Sequence, residues 1–117
     1  MADWTKTQLA DKTLEYLGVK AAGQSASAED NALAQEVAQS VYEQLRKTGL
    51  APFAISAVPE WAQMQLKKII AADLCGNFGI SGQRRVEYMQ DKMAGIRELA
   101  VQCAGYKHPI PVRAKYF

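Results

Sequence analysis

Apolar residues recur along this chain at steps of three and four, and glycine or proline interrupts each run, which predicts a series of helices. Leu9, Leu14 and Leu17, with Ala10 and Thr13, form the first stripe. Thr5 precedes it, with Gln8 three residues on, so hydroxyl and amide side chains can satisfy two orphan amides reciprocally. Gly18 supplies a left-handed stop, and Val19 stands where the accompanying apolar contact falls. The first helix is expected over 5–17. A loop of small residues over 20–26 leads to Ser27, with Glu29 and Asp30 suited to the positive end of a helix dipole. Leu33, Val37, Val41 and Leu45 repeat at i, i+4, and Arg46, Lys47, Thr48 and Gly49 close a helix over 28–47.

Residues 50–58 form an apolar connection containing Leu50, Pro52, Phe53, Ile55 and Val58. It must pack on the core or on another subunit, and it leaves room for a short extended segment. Pro59 suits the first position of a third helix, expected over 59–76. Trp61, Ala62, Leu66, Ile69, Ile70 and Leu74 make that helix apolar over a wide arc, as a central element requires. Glycines at 76, 79 and 82 break the chain, and Ser81 is placed to cap a fourth helix over 82–104. Along it, Val86, Met89, Met93, Ile96, Ala100 and Cys103 alternate steps of three and four. That heptad seam is short, so it reads as packing within the molecule. Pro109 and Pro111 then predict an extended arm over 106–117. The fold class is all-α, a compact bundle of about four helices in a domain over 1–105, followed by the arm.

Composition narrows the function classes. The chain has 117 residues, 49% hydrophobic and 22% charged, which suits one modest globular core rather than a disordered segment. Residues 1–5 bring no apolar leader and no stretch suits a membrane, so synthesis in the cytoplasm is expected. The net charge of +2 conceals a split. Residues 1–45 hold three lysines against seven acids (net −4), and residues 46–117 hold eleven cations against five acids (net +6). Such a split favours head-to-tail contact between copies, although it also arises from ordinary solvated faces.

No catalytic constellation emerges, and no enzyme is expected. His108, the one histidine, stands before Pro109 in the arm, away from any rigid scaffold for a general base. Glu87, Asp91 and Glu98 have the spacing of solvated helix pairs with Arg84, Lys92 or Arg97. Cys75 and Cys103 form no CxxC pair and read as small core residues, so neither metal nor cofactor is implied. Gln83, Arg84 and Arg85 open the fourth helix, where phosphate or a DNA groove could be gripped. A small helix-turn-helix DNA-binding protein is therefore the alternative reading, and a cell-wall hydrolase a third. In the arm, Tyr106, Lys107, Arg113, Lys115, Tyr116 and Phe117 combine cations with aromatic anchors around Pro109 and Pro111. Such side chains are common at interfaces, and proline stiffness lowers the cost of ordering.

These features together resemble the head-to-tail adaptor (tail accessory, packaged-DNA-stabilising) proteins of tailed bacteriophages. The residues that carry the resemblance are Thr5-Lys6 at the start, Leu17-Gly18-Val19 closing helix one, and an acidic-start helix running to Gly49. An alanine-rich third helix and the arm motif Pro109-Ile110-Pro111-Val112-Arg113 complete it. The resemblance implies a virion structural subunit that docks under the phage portal protein after packaging. Twelve copies would form a ring that extends the DNA channel, passes packaged DNA without sequence-specific binding, and receives a tail or nozzle protein. It places the protein at the virion head–tail junction, assembled in the bacterial cytoplasm. Pro109, Pro111 and Arg113 would contact portal or neighbouring subunits. A peptidoglycan-cleaving activity has been proposed within the family, but no residues here are suited to carry it.

Overall fold

The computed structural model describes residues 3–21, 23, 24 and 26–107. Four α-helices follow one another: α1 (Lys6–Leu17), α2 (Ala28–Lys47), α3 (Glu60–Leu74) and α4 (Gly82–Lys107). The all-α bundle expected from the pattern is the architecture found. Its helix ends show why. Thr5 accepts from the Gln8 amide at 3.2 Å, while the Gln8 side chain takes the Thr5 amide at 2.9 Å, the reciprocal cap. At the other end Gly18 turns left-handed at φ 80°, which lets Val19 N–H reach the Leu14 carbonyl at 3.0 Å. Ser27 accepts from the Asp30 amide, and α2 carries Glu29 and Asp30 in its first turn against Arg46 and Lys47 in its last.

The connection over 50–58 resolves into core structure. Trp4 and Val58 exchange backbone hydrogen bonds of 3.0 and 2.8 Å in a single antiparallel bridge. Ala51 and Val58 are buried, Phe53 packs edge-on to Trp61, and the Tyr42 hydroxyl donates to the Phe53 carbonyl at 2.5 Å. The apolar connection thus lies on its own domain. Pro59 sits at the N-cap of α3 rather than at the first helical position, because its ψ of 158° is still extended.

Helix α3 is the centre of the bundle and contacts each of the other three. Ala62, Leu66, Ile70 and Leu74 along it are wholly buried, and Gln63, also buried, donates to the Val58 carbonyl at 3.1 Å. The helix ends two residues earlier than expected, passing into a 3-10 turn over Cys75–Phe78. Gly82, at φ 65°, opens α4, and Ser81 gives it no side-chain cap among the described residues.

Two expectations for α4 are corrected. Tyr106 and Lys107 belong to the helix, which runs to Lys107 rather than stopping at 104. Proline restricts the residue before it, His108, and leaves earlier residues free to stay helical. Residues 108–117, with His108 and most of the expected arm, lie outside the described residues.

The second correction concerns the seam. The first part of the seam faces out, with Val86, Met89 and Met93 47%, 41% and 56% exposed, whereas its later members Ile96, half-buried against the core, and Cys103 turn inward with Gly95 and Leu99. At about 100° per residue, the exposed trio is turned roughly 120° from the face that meets α3. Gly95 explains the rotation. A Cβ added there would stand 3.3 Å from the Gln65 carbonyl oxygen and 3.6 Å from Lys68 Cβ, so the missing side chain lets the two backbones approach closely at this face of α4.

The two faces should differ in their response to truncation. Leu99→Ala should cost about 2–5 kcal/mol in urea unfolding, as buried leucines do. Met93→Ala should change stability by less than about 0.5 kcal/mol. The reverse ranking would mean that the heptad seam, and not the Gly95 face, packs inward.

Candidate functional site

The residues singled out at the start of α4 do not share one face. Arg84 turns inward: its guanidinium donates to the Leu17 carbonyl at 2.9 Å and to the Tyr88 hydroxyl at 3.2 Å, and stacks over the Tyr88 ring. Tyr88 in turn donates to the Tyr16 carbonyl at 2.9 Å. Helix α1 has no basic residue in its last turn, so α4 supplies across space the positive charge that its carbonyl end lacks. Gln83 and Arg85 instead line the shallow outer groove formed with Gly82, Val86, Met89, Gln90 and Met93.

Behind Arg84 lies a polar cluster joining α1, α3 and α4. Tyr16 donates a short hydrogen bond to Asp91, meets Tyr88 edge-on at 5.2 Å, and carries the Lys67 ammonium 5.2 Å over its ring. Burial, then the Asp91 hydrogen bond, raises the Tyr16 phenol well above the ordinary tyrosine value. Burial lowers Lys67, and its neighbour Lys68 adds to the effect. Glu15 is held below the usual carboxylate range by its hydrogen bond to Lys20, at 3.0 Å. These contacts join α1, α3 and α4 through one shared set of side chains.

The thiols are structural as well. Cys75 donates to the Ala71 carbonyl, and burial pushes its thiol pKa up, away from neutrality. Cys103 lies 3.1 Å from the Gly49 carbonyl and so ties the last turns of α4 to the end of α2. Among the described residues no group of three or more His, Cys, Asp or Glu side chains could hold a metal ion. Nor is any described helix long and apolar enough to cross a membrane.

The arm residues named from sequence divide at the end of α4. Tyr106 and Lys107 stand in its last turn. Pro109, Pro111, Arg113, Lys115, Tyr116 and Phe117 lie outside the described residues. The feature that sequence reasoning placed wrongly is the outer stripe of α4. Its signal was the heptad spacing of Val86, Met89 and Met93, which marks an apolar face without saying which neighbour covers it.

Helices α3 and α4 run antiparallel, side by side. Lys92 pairs with Asp73 at 3.0 Å near the turn, and Gly95 meets Gln65 and Lys68 further along. Comparison with family models, with curated proteins and with solved structures finds no match in any of the three.

Two measurements check the cluster. Arg84→Ala should destabilise the fold by about 1 kcal/mol through the lost carbonyl contacts, while Arg85→Ala should be close to neutral. The second is pH dependence. Tyr16 has a raised pKa in the folded state, so its contribution is complete below the unfolded value of about 10. It is then lost as pH climbs toward the folded value, because the unfolded chain releases the proton first. Lys67 acts with the opposite sign over the alkaline range. The difference between native and Tyr16→Phe chains isolates the phenol. Native stability should fall more steeply than that of Tyr16→Phe above about pH 10, and parallel curves would exclude the role.

Proposed function

We propose that this chain is a head-to-tail connector subunit of a tailed bacteriophage, assembling as a ring beneath the portal at the head–tail junction. The observation that carries the reading is the order of elements. A short helix closes at Leu17-Gly18-Val19, a long acidic-start helix ends at Gly49, and an alanine-containing central helix follows. Last comes a 26-residue helix leading straight into Pro109-Ile110-Pro111-Val112-Arg113. A long helix followed in the sequence by basic and aromatic residues around Pro109 and Pro111 suits capture of a large partner surface from a small core. Portal protein is the proposed partner of that segment, copies of the chain form the ring, and a tail or nozzle protein docks below. DNA passes through the channel without base recognition. The engagement of Arg84 with the Leu17 carbonyl, which takes it from a groove-reading role, favours this reading over a helix-turn-helix regulator.

The test is to mix the chain with its cognate portal and image the product. A ring of subunits on the portal is expected. Deleting residues 108–117, which leaves α4 whole, should abolish that ring while circular dichroism stays nearly unchanged. Rings that form equally well without those residues would sink the arm's role, and no complex at any salt concentration would sink the connector.

A further inference from the structure

We infer that the outer stripe of α4 docks on the acidic outer face of α2 in a second copy of this chain, head to tail. The stripe consists of Val86, Met89 and Met93, all 41–56% exposed, edged by the exposed cations Arg85 and Arg97. Neither cation belongs to an ion pair among the described residues. The acids of α4 (Glu87, Asp91 and Glu98) lie around the other side of the helix. This face is therefore apolar along its middle and positive along its edges.

A complementary surface exists on the same molecule. Glu29, Glu36 and Glu43 of α2 follow one another at seven-residue intervals, all exposed, directly opposite the buried Ala34, Ala38, Val41 and Leu45. Between the glutamates stand the small exposed residues Ala32 and Ser40, which leave room for methionine side chains to settle. Both faces are ridges of long helices with a heptad repeat, so knobs of one fit the spaces of the other. Pairing the α4 stripe with itself would instead set Arg85 and Arg97 against like charges, which is unfavourable. Charge complementarity thus selects the acidic α2 face as the occupant.

Two different patches in contact make a heterologous interface, which propagates from copy to copy and closes into a ring when the rotation allows. The apolar stripe amounts to a few hundred Å² at most, below the ~800 Å² per partner of a stable pair. A single contact is therefore weak, and closure, which gives every copy two contacts, stabilises the assembly. The inference deepens the connector reading and rests on it only for closure into a ring.

Sedimentation velocity of the full chain over a concentration series provides the test. Average mass should rise with concentration at low salt and fall as salt is added. Arg85→Glu with Arg97→Glu should weaken association at least about tenfold, and Glu36→Arg with Glu43→Arg should do the same. Mixing those two variant chains should restore association, because each then offers the charge the other lacks. As a second readout, Glu36→Cys chains mixed with Met89→Cys chains should form a disulfide-linked pair under mild oxidation. A chain that stays monomeric at every concentration, charge reversals without effect, or preferential linkage of Met89→Cys chains to themselves would each overturn the inference. Portal takes no part in this assay. Self-association as described with no portal binding would retain the inference and sink the connector reading, whereas portal-bound rings indifferent to the charge reversals would do the opposite.

Discussion

The close approach of α4 to α3 at Gly95 sets the orientation on which the rest of the molecule depends. With the Gln65 carbonyl oxygen 3.3 Å from where a Cβ would stand, this face of α4 meets the central helix more closely than a side chain there would comfortably allow. Once it does, Leu99 and Cys103 enter the core and Tyr88 and Asp91 swing over α1. The same rotation turns Val86, Met89 and Met93 outward. One missing side chain thereby decides both what holds the bundle together and what it leaves uncovered.

Helix α1 shows how that orientation is used. It is only 12 residues long, too short to be stable alone, and it lacks the basic last turn that would favour its carbonyl end. Arg84 and Tyr88 provide those contacts from α4, and Tyr16 answers with its bond to Asp91. The carbonyls of two successive residues at the end of one helix are thus satisfied by side chains four positions apart on another. Local signals define where α1 stops, and long-range ones define where it rests.

The functional reading and the electrostatics point in the same direction. The buried polar side chains of the described region are satisfied by backbone partners, Gln63 by Val58 and Thr13 by Leu9, and the exposed Arg84 folds back to donate to Leu17. The outer surface carries an apolar ridge with basic edges and a glutamate-lined ridge on a different helix.

Element boundaries were legible in the sequence because capping is local. Thr5 with Gln8, Ser27 with Asp30, and Gly18 with Val19 act over three to five residues, and each does so here. The wide apolar arc of α3 likewise announced a central helix, since it packs against all three other helices and leaves only Glu60, Met64 and Asp73 exposed. The rotation of α4 was not legible. Its heptad seam and its Gly95 face are both plausible inner faces by periodicity, and a period names a stripe without naming its neighbour. Choosing between them required the Gln65 backbone, thirty residues away, to come within reach of Gly95. The sequence by itself therefore determined four helices, their ends and their order, through interactions among near neighbours. Only the tertiary structure decided which face of α4 is buried, that Arg84 caps α1, and that a methionine stripe faces outward, because those outcomes depend on backbone-to-backbone distance between separate helices.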